Sequence, residues 1–179
     1  MRARTRLVLT CAYVALIVAA VPMVRSITNP LRDVGMLRVT VASVIVLALG
    51  LFGFLASRSG ASRRGVALLM AGVISPCAVA YPFVVSPEEF LHVPQYIVVG
   101  AAWTWTLQAR VSGVVGSTLG ALFLTLATSL LEEGVQHVTP DRYFGWNDVA
   151  LDSASGCVGV ALAVFGPRLL RHTSSNREL

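Results

Sequence analysis

Charge is what this sequence has least of. Only 13% of its 179 residues are Asp, Glu, Lys or Arg, about half the share that soluble domains carry, and this excludes an ordinary water-soluble enzyme. Lysine is absent: all 14 basic residues are arginine, which with the weight of alanine, glycine and valine speaks of a GC-rich genome rather than of a function. Cysteine is scarce. Cys11, Cys77 and Cys157 are an odd number, sit in apolar stretches and form no Cys-x-x-Cys pair, so neither a disulfide framework nor a zinc site is indicated. No nucleophile elbow is present, which removes the serine-hydrolase signature. The short loops offer no continuous basic face, so nucleic acid is not an expected partner.

What is abundant is apolar sequence. Hydrophobic residues make up 55% of the chain, with a mean hydropathy of +0.73. Crossing a bilayer as helix takes about 20 mostly apolar residues, and six runs approach that length: 7–24, 39–56, 66–85, 90–107, 111–131 and 149–170. Lipid offers no partner to free backbone N–H and C=O groups, and these runs are too long for barrel strands, so the expected fold is an all-α, polytopic bundle of about six transmembrane helices in a single domain. The first run follows three arginines, as a signal peptide would. It is read as a retained helix, because it is longer than a signal h-region and no small-residue cleavage site follows.

An even number of spans places both termini on one side. With the N-terminus cytoplasmic, ten arginines (2, 4, 6, 58, 63, 64, 110, 168, 171 and 177) fall inside and four (25, 32, 38 and 142) outside, in accord with the positive-inside rule. The 25–38 segment is more basic than an outer loop should be, and an interfacial helix is one way to accommodate it. The acidic residues divide more sharply. Asp33, Glu88, Glu89, Glu132, Glu133, Asp141, Asp148 and Asp152 lie at or near the outer face and only Glu178 lies inside. Acids contribute little to insertion orientation, whereas ionisable groups within membrane segments usually face a cavity or a partner.

Two stretches concentrate them. A helix starting at Pro87 would stack Glu88, His92 and Tyr96 at i, i+4 and i+8, bring Glu89 to His92 at i+3, and be kinked by Pro94. Continuing the fifth helix past its apolar run would pair Glu132 with Gln136 and Glu133 with His137. Pro140, Asp141, Arg142 and Gly145 then make a tight outer loop, flanked by Tyr143, Phe144 and Trp146 as interfacial anchors. Asp148 and Asp152 follow one helical turn apart, beside Ser153 and Ser155. Glu89-x-x-His92 has the spacing found in di-iron carboxylate bundles, and Glu133 with His137 is a second candidate ligand pair. The complete pattern needs repeated motifs and further Glu on facing helices, so no metal or cofactor is expected.

The residues Glu132-Glu-Gly-Val-Gln136, Pro140-Asp-Arg142, Asp148-Val149, Asp152, Gly156 and Gly159, with the upstream Glu88-Glu-Phe-Leu-His92-Val-Pro-Gln-Tyr96, resemble the signature of the VanZ-like integral membrane proteins. The resemblance covers about residues 86–165. In two places the chain departs from that pattern: Glu89 stands where the family usually has Lys, and Asp152 where it usually has Asn. Both changes make the cluster more acidic and leave Arg142 as its obvious cation. The resemblance implies a multi-pass protein of the bacterial cytoplasmic membrane, from a family linked to low-level teicoplanin resistance and without an assigned reaction, so whether it is an enzyme stays open.

Two functions follow as expectations. In the first, Glu88, Glu89, His92, Tyr96, Glu132, Glu133, Gln136, Arg142, Asp148 and Asp152 form an outward-facing polar cluster that holds a lipid or cell-wall headgroup. In the second, the chain is a non-catalytic accessory subunit packed against a larger membrane protein complex. Gly113, Gly116, Gly120, Gly156 and Gly159 would then serve close helix packing, within the chain or against the partner.

Overall fold

The structure, a computed structural model, describes residues 1–58, 63–80, 87, 89–140 and 142–172. Among these it is entirely helical: α1 (Ala3–Asp33), α2 (Leu37–Arg58), α3 (Arg63–Ala80), a 3-10 turn (Glu89–Leu91) leading into α4 (His92–Leu107), α5 (Val114–Val138) and α6 (Trp146–His172). Three helices, α1, α5 and α6 as far as Pro167, are long and apolar enough to cross a membrane.

Helix α1 runs well beyond the apolar stretch that announces it. Residues 25–33, read above as the start of an outer loop, are its last turns. At about 1.5 Å per residue its 31 residues reach about 46 Å, against about 30 Å of hydrocarbon core. The helix ends in a Schellman turn: Gly35, at φ 72°, donates its N–H to the Arg32 carbonyl at 2.9 Å, and Met36 donates to Leu31 at 2.8 Å. Only residues 34–36 separate α1 from α2. Two other boundaries shift. Residues 111–113 form the turn before α5, which continues to Val138, and α6 begins at Trp146. Pro94, expected to kink a helix from Pro87, lies in the first turn of α4, where its missing N–H has no intrahelical partner to lose.

Burial is inverted relative to a water-soluble bundle. Along α5 the buried face reads Ser117, Ala121, Thr125, Thr128, Ser129, Glu132, Glu133, Gln136, at spacings that keep one face inward. The opposite face exposes Val115, Leu119, Phe123, Leu126 and Leu130. Water would reverse that assignment, whereas lipid tails solvate the apolar face and leave packing and polar contacts to hold the inside together. Two of the inward hydroxyls are satisfied locally: Thr125 donates to the Ala121 carbonyl and Thr128 to Leu124, both at 2.7 Å.

The core joins Ile17 of α1, Tyr96, Val99 and Trp103 of α4, Ala121 of α5 and Val160 of α6. Trp103 is buried here and donates its indole N–H to Thr128 Oγ1 at 3.3 Å. Helices α4 and α6 approach backbone to backbone. A Cβ on Gly100 would collide with the Gly156 carbonyl, and one on Gly159 with the Ile97 carbonyl. Gly156 and Gly159 thus serve packing within the chain, while Gly113, at φ 97°, starts α5.

The start of α1 meets the end of α4. Arg6 donates to the Trp105 carbonyl at 3.0 Å with its guanidinium 4.8 Å from the Trp105 ring centre, Thr10 and Thr106 share a 2.8 Å hydrogen bond, and Arg110 reaches the Ala3 carbonyl. The two helices are therefore antiparallel. The far half of α1 lies beside the start of α4, where α5 ends and α6 begins.

Candidate functional site

At that end the polar residues converge, with partners drawn from different helices. The His92 ring, at the first position of α4, meets Asp152 of α6, with Nδ1 3.0 Å from Oδ1. Ser129 of α5 donates to the other Asp152 oxygen at 2.7 Å. Asp152 is wholly buried and satisfied on both oxygens by two other helices. One turn further along α4, Tyr96 donates its hydroxyl to Glu132 Oε2 at 2.7 Å, and Gln95 donates to the same oxygen at 3.1 Å. The His92 and Tyr96 rings lie nearly parallel, 8° apart in plane with centres separated by 6.3 Å.

Glu133 has a different task. It accepts hydrogen bonds from Gln136 Nε2 at 2.7 Å and from the backbone N–H of Gly145 at 2.8 Å. Gly145 also offers its carbonyl to the N–H groups of Asp148 and Val149, so it is the residue on which α6 starts. The Glu133 carboxylate thereby ties the last turn of α5 to the first turn of α6, across the loop that carries Arg142.

These contacts correct several pairings expected from spacing. The carboxylate on His92 is Asp152 rather than Glu88 or Glu89; Glu88 lies outside the described residues. Gln136 bonds Glu133 rather than Glu132, and His137 is exposed instead of joining Glu133. The Glu89–His92 and Glu133–His137 ligand pairs are replaced by a group nobody would draw from spacing: His92, Glu132 and Asp152 each offer a ligand atom within 4.8 Å of the others. One imidazole and two carboxylates are donors that first-row transition metals accept. In this arrangement the same donors hold Tyr96, Gln95, Ser129 and one another, so binding a metal would mean breaking those hydrogen bonds.

Beside the network lies a cavity of about 410 Å³, within the size range of small-ligand sites, about 300–1,000 Å³. Of the sequence-nominated residues, Glu89, His92, Glu132, Gln136, Arg142 and Asp148 line it, while Tyr96, Glu133 and Asp152 stand behind the wall. One whole side is α1, which contributes an apolar strip of Leu16, Ile17, Ala20, Val21 and Val24, together with Tyr13, Arg25 and Thr28. Arg142 lies across the same space, its Nη1 3.5 Å from the Val21 carbonyl.

Gln95, Ser129 and the α1 residues were not among the sequence candidates. Gln95 and Ser129 carried a usable signal, as polar side chains beside the motif within apolar runs. Arg25 carried one that pointed elsewhere: it looked like excess charge in an outer loop, and the structure makes it part of a cavity wall.

Comparison of the chain with models of protein families, with curated proteins and with solved structures finds no match. The functional reading therefore stands on the site.

Proposed function

We propose that this chain is a VanZ-like multi-pass protein of the bacterial cytoplasmic membrane, whose cavity at the outer face receives the headgroup of a membrane lipid or lipid-linked cell-wall component. The observation that carries the reading is the cavity's composition. An amphiphile needs an apolar wall continuous with lipid and a polar recess beyond it. Leu16, Ile17, Val21 and Val24 are such a wall, and His92, Glu132, Arg142 and Asp148 such a recess.

Six spans with both termini cytoplasmic fit the same picture. Helix α4 has 16 residues and the 3-10 turn before it three; at about 1.5 and 2.0 Å per residue they span roughly 30 Å, one hydrocarbon thickness. The antiparallel pairing of α1 with α4 places Arg2, Arg4, Arg6 and Arg110 at the end opposite the cavity, which the positive-inside rule makes cytoplasmic.

A specific observation favours the accessory-subunit reading as well: Asp152, Glu132 and Glu133 are satisfied within the chain, as register-setting polar contacts would be. The mass of the native particle separates the two. The full chain is extracted from its own membrane in mild detergent and weighed with whatever accompanies it. One or two copies with bound lipid is the expected result; a large assembly with other proteins at fixed ratio would overturn the headgroup reading in favour of the subunit.

A further inference from the structure

The cavity wall carries charge of both signs. Arg25, Arg142, Asp148 and Glu132 all line it. No ion pair joins either arginine to either carboxylate, whereas His92 is paired with Asp152. Among the described residues the Asp148 carboxylate accepts no hydrogen bond and the Arg142 side chain makes only a long one, to the Val21 carbonyl, while lying near enough to Asp148 to attract its charge. Charges of both signs left without a direct ion pair are available to a ligand that carries both signs itself.

A second observation points the same way. Thr28 lies one turn beyond Arg25 on α1, is only 7% exposed, lines the cavity, and its Oγ1 has no hydrogen-bond partner. Thr40, Thr104 and Thr125 return their hydroxyls to the carbonyl four residues back; Thr28 and Thr118 do not, and of those two only Thr28 lines the cavity. A buried hydroxyl left unmatched costs about 1–3 kcal/mol, so an occupant that accepts its hydrogen bond would be favoured there.

We propose that the cavity binds an aminoalkyl phosphate, with the phosphate held by Arg25, Thr28 and Arg142 and the ammonium by Asp148 and Glu132. The inference rests on the headgroup reading above and names the headgroup's chemistry. Guanidinium and hydroxyl donors suit phosphate oxygens. Carboxylates in the same lining disfavour a purely anionic headgroup and favour one that carries its own cation, which is specificity by repulsion as well as attraction. The apolar strip of α1 would take the upper part of an acyl chain, although the same headgroup chemistry exists in soluble form.

The test uses the full-length protein, delipidated in detergent. Native mass spectrometry measures retention of dioleoyl phosphatidylethanolamine and dioleoyl phosphatidylglycerol, and water-soluble phosphoethanolamine is supplied as a competitor. The expected result is at least a tenfold preference for phosphatidylethanolamine. Thr28→Val, which keeps shape, and Arg142→Gln should each weaken its retention several-fold, and Asp148→Asn should erase the preference without abolishing binding. Displacement by millimolar phosphoethanolamine would support the proposal and show that the headgroup suffices; failure to displace, with the preference intact, would support it with the lipid as source. Equal retention of both lipids, unchanged by Thr28→Val and Arg142→Gln, would overturn this inference and leave the headgroup reading standing. Retention of neither lipid, without phosphoethanolamine binding, would overturn both.

Discussion

Asp152 offers the most exacting test of how the polar interior holds the helices. Its carboxylate is fully buried on α6, accepts from Ser129 of α5 at 2.7 Å and meets His92 of α4 at 3.0 Å. Asp152→Ala removes both interhelical contacts. Such contacts within membranes average about 0.6 kcal/mol and reach about 1.7, so the pair is worth roughly 1.2 to 3.4 kcal/mol. The strandedness of His92 Nδ1 and Ser129 Oγ pushes the loss toward the upper part of that range. A loss near 3 kcal/mol is roughly a 150-fold change in the folded-to-unfolded ratio.

Asp152→Asn should behave differently. The amide oxygen still accepts from Ser129, and the amide N–H can donate to Nδ1 of a neutral imidazole protonated at Nε2. Its cost should stay well below that of Asp152→Ala, about 1 kcal/mol or less, because both hydrogen bonds can be kept. Reversible unfolding in mixed micelles, titrated with denaturing detergent and followed by Trp fluorescence, gives both values. Asn as damaging as Ala, or Ala indistinguishable from the parent, would refute the assignment of Asp152 as the junction of the three helices.

Three further outcomes follow from particular contacts. Gly159→Leu drives a side chain against the Ile97 carbonyl and Ala101 N; backbone cannot yield as a side chain can, so the loss should reach about 3 kcal/mol or prevent folding, while Gly134→Ala, with nothing within 4 Å of the new Cβ, should gain up to about 1 kcal/mol of helix propensity in the same titration. Glu133→Gln leaves one acceptor oxygen for two donors, Gly145 N–H and Gln136, and should speed amide exchange at the start of α6 without releasing α4 from α6; unchanged exchange there would deny Glu133 its tethering role. In a background with Cys11, Cys77 and Cys157 replaced by Ser, a membrane-impermeant maleimide should label Tyr143→Cys in intact cells and Ser112→Cys only after permeabilisation, and the reverse pattern would invert the proposed orientation.

Composition alone determined the solvent and the class of fold. With 13% charge and 55% hydrophobic residues, backbone polar groups must be satisfied inside each segment, and a helix does that without reference to any other part of the chain. The same scarcity made the polar candidates easy to find, since each charged residue in an apolar background stands out. What composition could not supply was who meets whom. Spacing along one helix pairs residues three or four apart, so it offered Glu88 and Glu89 to His92, and His137 to Glu133. The actual partners, Asp152 for His92 and Gly145 N–H for Glu133, lie 60 and 12 residues away and depend on how α4, α5 and α6 are set against one another through Gly100, Gly156 and Gly159.

The first helix shows the division most plainly. Its apolar run ends at Val24 and a hydropathy reading stops there, yet helical hydrogen bonding continues to Asp33, because helix persistence depends on the backbone and not on which solvent surrounds the side chains. That extra length brings Arg25 and Thr28 to the cavity wall. The sequence settled that these residues exist and are polar; only the antiparallel packing of α1 on α4 decided that they line the same cavity as His92 and Asp148.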